Sequence, residues 1–128
     1  MEQKLYDTVT DCPVIAAIKD DSGLERCLDS DIQIIFVLYG DIVSIPDIVD
    51  KIKKRGKLAM VHADLISGLS GKEIAIDFLK RNTQADGIIS TKLSFIKRAK
   101  ELGMATVFRF FVIDSMAFDN IQKQYEAA

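Results

Sequence analysis

At 128 residues, 48% apolar and 28% charged, the chain has the makeup of one globular domain with a single core. A net charge of −2 argues against a protein whose whole surface grips nucleic acid, although it leaves room for a local basic patch. No apolar run approaches the ~20 residues of a membrane span, and residues 1–10 lack the basic-then-apolar order of a signal peptide. The cysteines, Cys12 and Cys27, have no metal-ligand spacing, so the plain expectation is reduced thiols in a cytoplasmic protein.

Strand-length apolar runs recur along the chain, each followed by an amphipathic stretch with helix-start signals. The first run, 13–18, precedes Ser22-Gly-Leu-Glu25, which fits a capping box. The second, 32–38, precedes Ser44-Ile-Pro46-Asp47, with proline in the first turn, and that helix is expected to end at Gly56. The third, 58–61, runs into His62-Ala-Asp64, a loop bearing Gly68, and a second capping box, Ser70-Gly-Lys-Glu73. The fourth, 87–89, meets Thr91, expected to cap a helix over 93–102 that stops at Gly103. The fifth, 104–111, carries Arg109 and leads to Asp114 or Ser115, a cap for a last helix from about Met116.

Most of these runs are near-continuous rather than alternating, as strands buried on both faces require, so a parallel sheet is expected. Five strand–helix units without a linker or repeat make a single domain over residues 1–128. Two architectures fit: an open doubly wound sheet, or a consecutive arc of a (β/α) barrel, whose full form takes ~250 residues.

Residues at the carboxyl ends of the strands share one face in either architecture, and ligands are met there. They include Lys19, Asp20, Asp21, His62, Asp64, Ser90, Thr91, Lys92 and Arg109, with Gly68 in the third loop. Cations, hydroxyls and helix N-termini suit a small anion such as phosphate, and carboxylates suit hydroxyl groups. A small phosphorylated polyol is therefore the ligand class to expect. His62, the sole histidine, and Asp64 fall on one side of an extended strand. One His and one Asp are too few for a metal site, and no nucleophile–base pair or phosphate-binding glycine loop stands out. No catalytic residue, metal or cofactor is assigned. Arg109, in an apolar run, requires a partner: Asp64, Asp114 or a ligand anion.

Lys51, Lys53, Lys54, Arg55 and Lys57 crowd the end of the second helix, and Lys97, Arg98 and Lys100 the fourth. Cations there favour the helix dipole and also suit a nucleic-acid backbone on the face opposite the ligand. Lys53, Lys54, Arg55 and Lys57 are the RNA candidates.

Five segments together carry a family resemblance: Cys12–Asp20, Leu38–Ile42, Val61–Ser70, Ala85–Lys92 and Arg109–Ser115. In this order they resemble the glycerol-3-phosphate-responsive antiterminators of the bacterial glycerol uptake operon. The resemblance implies a TIM-barrel-like (β/α) fold, present here as an incomplete barrel of about five parallel units, the N-terminal two-thirds of a family-length chain truncated at its C-terminal side. It implies a bacterial regulator of glycerol metabolism rather than an enzyme, acting in transcription antitermination by binding leader mRNA in response to glycerol 3-phosphate. The ligand-facing positions it implies are Lys19, His62, Asp64, Gly68, Ser90, Thr91, Lys92 and Arg109. The units it lacks would carry the opposite, phosphate-holding wall, and the edge of the fifth strand would be open to a second copy of the chain.

Two other readings compete. A phosphoacceptor receiver-like module also has five such units, with Asp20, Asp21 and Thr91 as its acids and hydroxyl. A sugar-phosphate barrel enzyme would rely on His62 with Asp64 as acid and base.

Overall fold

The computed structural model describes residues 15–109. Cys12, Asp114, Ser115 and the helix expected from Met116 lie outside them.

Among the described residues, five strands and four helices alternate. The strands are β1 (Ile15–Ile18), β2 (Ile34–Val37), β3 (Leu58–His62), β4 (Gly87–Ser90) and β5 (Ala105–Phe108). The helices are α1 (Asp21–Leu28), α2 (Ile45–Lys54), α3 (Ile74–Asn82) and α4 (Leu93–Glu101), and a short 3-10 turn covers Ala63–Leu65. Strands pair in parallel in the order β1-β2-β3-β4-β5.

That order decides between the two architectures. A doubly wound sheet reverses direction at a switch point, whereas here each strand adds beside its predecessor, as in a barrel arc. The two faces of the sheet agree. Ile18, Ile35, Val37, Ala59, Val61 and Ile88 pack with the buried helix residues in one cluster. Ile34, Leu58, Met60, Ile89 and Ala105, with Phe36 and Val107, form a second cluster built from strand residues alone. Helices on one face and strand side chains on the other is the layering of a (β/α) barrel. The receiver-like reading does not survive this topology.

The helices form for the reason their spacing suggests. Ile45, Ile48, Val49 and Ile52 of α2 recur at the i, i+3, i+4, i+7 positions of one buried stripe. Each such side chain gains roughly 1.5–3 kcal/mol on leaving water. The expected stops at Gly56 and Gly103 are present, with φ of +73° and +76°.

α2 starts as expected, after Ser44 with Pro46 in its first turn, but the other starts differ. Asp20, extended at φ −161°, caps α1 by accepting from the Gly23 N–H at 2.7 Å, and Ser22 lies inside the helix. Neither Ser70 nor Glu73 makes a capping box. The Ser70 hydroxyl accepts from the Lys72 N–H at 3.0 Å, closing a local turn, and α3 begins later, at Ile74. Thr91 does not cap α4, because its N–H and hydroxyl both donate to Asp64. β2 is also shorter than its apolar run. The Ser30 and Ile32 carbonyls turn to Lys57 Nζ (2.7 and 2.6 Å) instead of joining the ladder.

Among the described residues no helix is long and apolar enough to cross a membrane.

Candidate ligand site

β3 delivers His62 to the strand-lined face at the carboxyl end of the sheet, in register with Ile89 of β4, which pairs with Val107 of β5. The strand stops there. The chain turns into the 3-10 segment, so Asp64 does not continue the extended period-two row expected of it. Asp64 reaches sideways to the end of β4 instead. Its Oδ1 accepts from the Ser90 hydroxyl at 2.7 Å, and its Oδ2 from the Thr91 N–H at 2.8 Å and the Thr91 hydroxyl at 2.6 Å. Burial works against its negative charge, but these three hydrogen bonds outweigh it and hold the carboxyl below the usual 3.8.

This arrangement assigns the hydroxyls. Ser90 and Thr91 donate to Asp64, and Ser90 Oγ also accepts from the Lys92 N–H at 2.9 Å. Their protons are committed within the protein, so they brace the site rather than donate to an anion.

His62 and Arg109 both line two adjoining cavities. One is mainly apolar, with Ala17, Phe36, Leu38, Ile89, Val107 and Phe108. The other adds Asp64, Leu65 and Thr91. His62 is 2% exposed, and its Nδ1 has no hydrogen-bond partner among the described residues. Burial lowers its pKa below 6.5; the Asp64 carboxylate opposes that shift and the Arg109 charge adds to it. A neutral imidazole follows, with one nitrogen open to a hydroxyl. Arg109 is half-buried and held by its N–H on the Ser90 carbonyl at 2.9 Å, directly after β5.

The other predicted positions fall further out. Lys19 and Lys92 are exposed at the same end of the sheet and line neither cavity. Lys92 Nζ sits 4.8 Å from the Phe95 ring centroid. Gly68 answers a backbone need: its φ is +85°, and a Cβ there would come within 3.0 Å of Ile42 Cγ2, where the second and third loops are bridged at Asp41 and Ser67. Nearby, the Tyr39 hydroxyl donates to Asp21 at 2.7 Å. Burial first, and this bond second, raise its pKa well above the ordinary phenol value.

The four RNA candidates separate. Lys57 is 5% exposed and holds the Ser30 and Ile32 carbonyls, and Lys53 pairs with the buried Asp86 at 2.8 Å. Both tie the fold together and are not surface cations; burying an unpaired ammonium is too costly for them to be otherwise. Lys54 and Arg55 are exposed, on Asp50 (2.9 Å) and Asp29 (3.2 Å). Strand-end reasoning missed the apolar lining. Its signal was present at the alternate strand positions preceding each end, Phe36 before Leu38 and Ile89 before the Thr91 turn. Among the described residues no three His, Cys, Asp or Glu side chains converge as a metal ion would need.

Residues 14–128 match the protein family described as glycerol-3-phosphate responsive antiterminator. The chain is 53% identical over 112 residues to YgcP of Escherichia coli strain K12, a protein named as uncharacterized, covering 88% of this chain and 59% of that one. Two solved structures are similar. One is the glycerol uptake operon antiterminator regulatory protein of Listeria monocytogenes (TM-score 0.84, 32% identity, 88% of this chain and 61% of that one). The other is a glycerol uptake operon antiterminator-related protein of Thermotoga maritima (TM-score 0.80, 34% identity, 88% and 63%). The chain thus spans about three-fifths of the length of each.

Proposed function

This chain belongs to the family of glycerol-3-phosphate responsive antiterminators, and from that premise we propose that it binds glycerol 3-phosphate at the carboxyl end of its sheet and, so loaded, engages the leader mRNA of glycerol-utilisation genes to prevent termination. It acts as a cytoplasmic regulator without catalysis. The observation that carries the ligand half is the buried Nδ1 of His62, unpartnered among the described residues, beside Arg109 where two mainly apolar cavities adjoin, one of them also lined by Asp64 and Thr91. A glycerol phosphate has the matching parts. Its carbon chain suits the apolar wall, a hydroxyl meets His62, and the phosphate meets the guanidinium, which recognises such oxygens in pairs. Asp64, through Ser90 and Thr91, keeps the β3 and β4 ends in place. Lys19 and Lys92 add positive potential at the mouth, within the reach of screened charge.

The test is a gel shift on a glycerol-operon leader transcript with and without glycerol 3-phosphate. A shift that strengthens with the ligand, and does so less in a His62→Gln variant, is the expected result. A transcript bound equally well with and without ligand would contradict the proposal.

A further inference from the structure

Outside the ligand site, the strongest asymmetry is one of charge along the strands. Each crossover helix runs back against its strands, so the last turns of the helices gather where the strands begin. Cross-links bind this end into one surface. Arg55 donates to the Leu28 carbonyl at 2.8 Å, Lys53 pairs with Asp86, and Gln84 donates to Asp50 at 3.2 Å. Three successive helices present exposed cations here: Lys51 and Lys54 from α2, Lys80 and Arg81 from α3, and Lys100 from α4. Lys54 is paired with Asp50, and the field of Arg81 is felt by Asp77. Lys51 and Lys80 meet no carboxylate at ion-pair distance among the described residues. The exposed acids of this end are few: Asp29 and Glu101, held by Arg55 and Arg98, and Asp31. The ligand end is mixed: Asp20, Asp21, Glu25, Asp41, Asp47 and Glu73 are exposed there, and so are Lys19, Lys72 and Lys92.

A helix dipole favours a cation in each last turn, but it does not account for exposed cations gathered from three helices with few exposed acids among them, against a mixed rim at the other end. A polyanion is drawn to the first more than to the second. We propose that RNA phosphates dock on the end of the sheet where the strands begin, across the last turns of α2, α3 and α4, opposite the small-ligand site. This rests on the RNA-binding reading above and gives that reading its surface. The partner is RNA backbone. The effector then acts on RNA through the strands and helices between the two ends, not by touching it.

The experiment is fluorescence anisotropy of a labelled glycerol-operon leader transcript, titrated with this chain over a range of salt. The triple variant Lys51→Gln/Lys80→Gln/Arg81→Gln should bind at least tenfold more weakly. The slope of log affinity against log salt should fall by about 2, from roughly 0.7 per lost single-strand phosphate contact. Lys72→Gln, at the other end, should leave both unchanged, and calorimetry with glycerol 3-phosphate should give the wild-type affinity in the triple variant. Single neutral variants, each lowering the slope by about 0.7, test the same surface if the triple variant folds poorly. An unchanged slope and affinity would overturn the proposal, and if transcript binding still responded to ligand the functional reading would survive. Patch-dependent RNA binding with no heat from glycerol 3-phosphate would support the surface and remove the effector instead.

Discussion

His62 carries an unmet polar atom against two cavities: it is 2% exposed, with Nδ1 unpartnered among the described residues. An unsatisfied buried atom of this kind costs about 1–3 kcal/mol, a cost that a hydroxyl bonded to it would remove. Its depressed pKa makes a pH prediction. Above its ordinary 6.5, folded and unfolded imidazoles are both neutral, and titration does nothing. As pH falls below 6.5 the unfolded chain takes up a proton that the folded chain refuses, and stability declines until the folded pKa is passed. Urea denaturation should therefore show the wild type losing more stability than His62→Gln between about pH 7.5 and about pH 5.5. Equal losses would contradict a buried neutral imidazole. Asp64 works with the opposite sign of charge. Held below 3.8, it contributes stability above that pH and loses it as pH falls through the folded value. Asp64→Asn keeps the shape but turns an N–H₂ towards donors, and should cost about 1–3 kcal/mol, read as a lower denaturation midpoint at unchanged slope.

At the level of elements, the alternation of strands and helices was legible because two-sided burial makes near-continuous apolar runs and one-sided burial makes a 3.6-residue stripe. The start of α2 was legible too, marked by Pro46, but the other helix starts were not, because serine and threonine hydroxyls have several local partners of similar energy. The Ser22 hydroxyl accepts from Arg26 at 2.9 Å, Ser70 closes a turn with Lys72, and Thr91 is drawn to Asp64 on the neighbouring loop. A pattern of four residues cannot register that competitor, which comes from 27 positions away. The difference can be measured at α1. Asp20→Ala, which removes the bond to the Gly23 N–H, should cost about 1 kcal/mol, while Ser22→Ala should change stability by no more than a few tenths. The reverse order would restore the capping box. Strand-end reasoning brought His62, Asp64, Thr91 and Arg109 to one place. It misjudged Ser90 and Thr91 as donors to an anion, since their protons go to a carboxylate that the sequence places on another strand end.

On the scale of the whole molecule, the two ends of the sheet are built differently. The end where strands begin is cross-linked through buried charge. Asp86, 4% exposed, accepts from Lys53 Nζ at 2.8 and 3.0 Å and from the Ala59 N–H at 2.8 Å, and so joins α2, β3 and the entry to β4. Removing one partner of such a pair strands the other, so Asp86→Ala should lower stability by about 3–5 kcal/mol in chemical denaturation. A loss below about 1 kcal/mol would show that the clamp is dispensable. Lysines in a basic run look alike in sequence. Only the fold shows that Lys53 and Lys57 point into carbonyls and a buried carboxylate while Lys51 and Lys54 face water. The end where strands finish places His62 and Arg109 on two adjoining cavities, with Asp64 braced by Ser90 and Thr91. The most direct measurement of the central claim is a calorimetric titration of this chain with glycerol 3-phosphate, beside glycerol and inorganic phosphate. We predict saturable binding of glycerol 3-phosphate above either fragment, weakened at least tenfold, about 1.4 kcal/mol, by Arg109→Met and by His62→Gln. Binding that ignores both substitutions, or no binding at all, would contradict it.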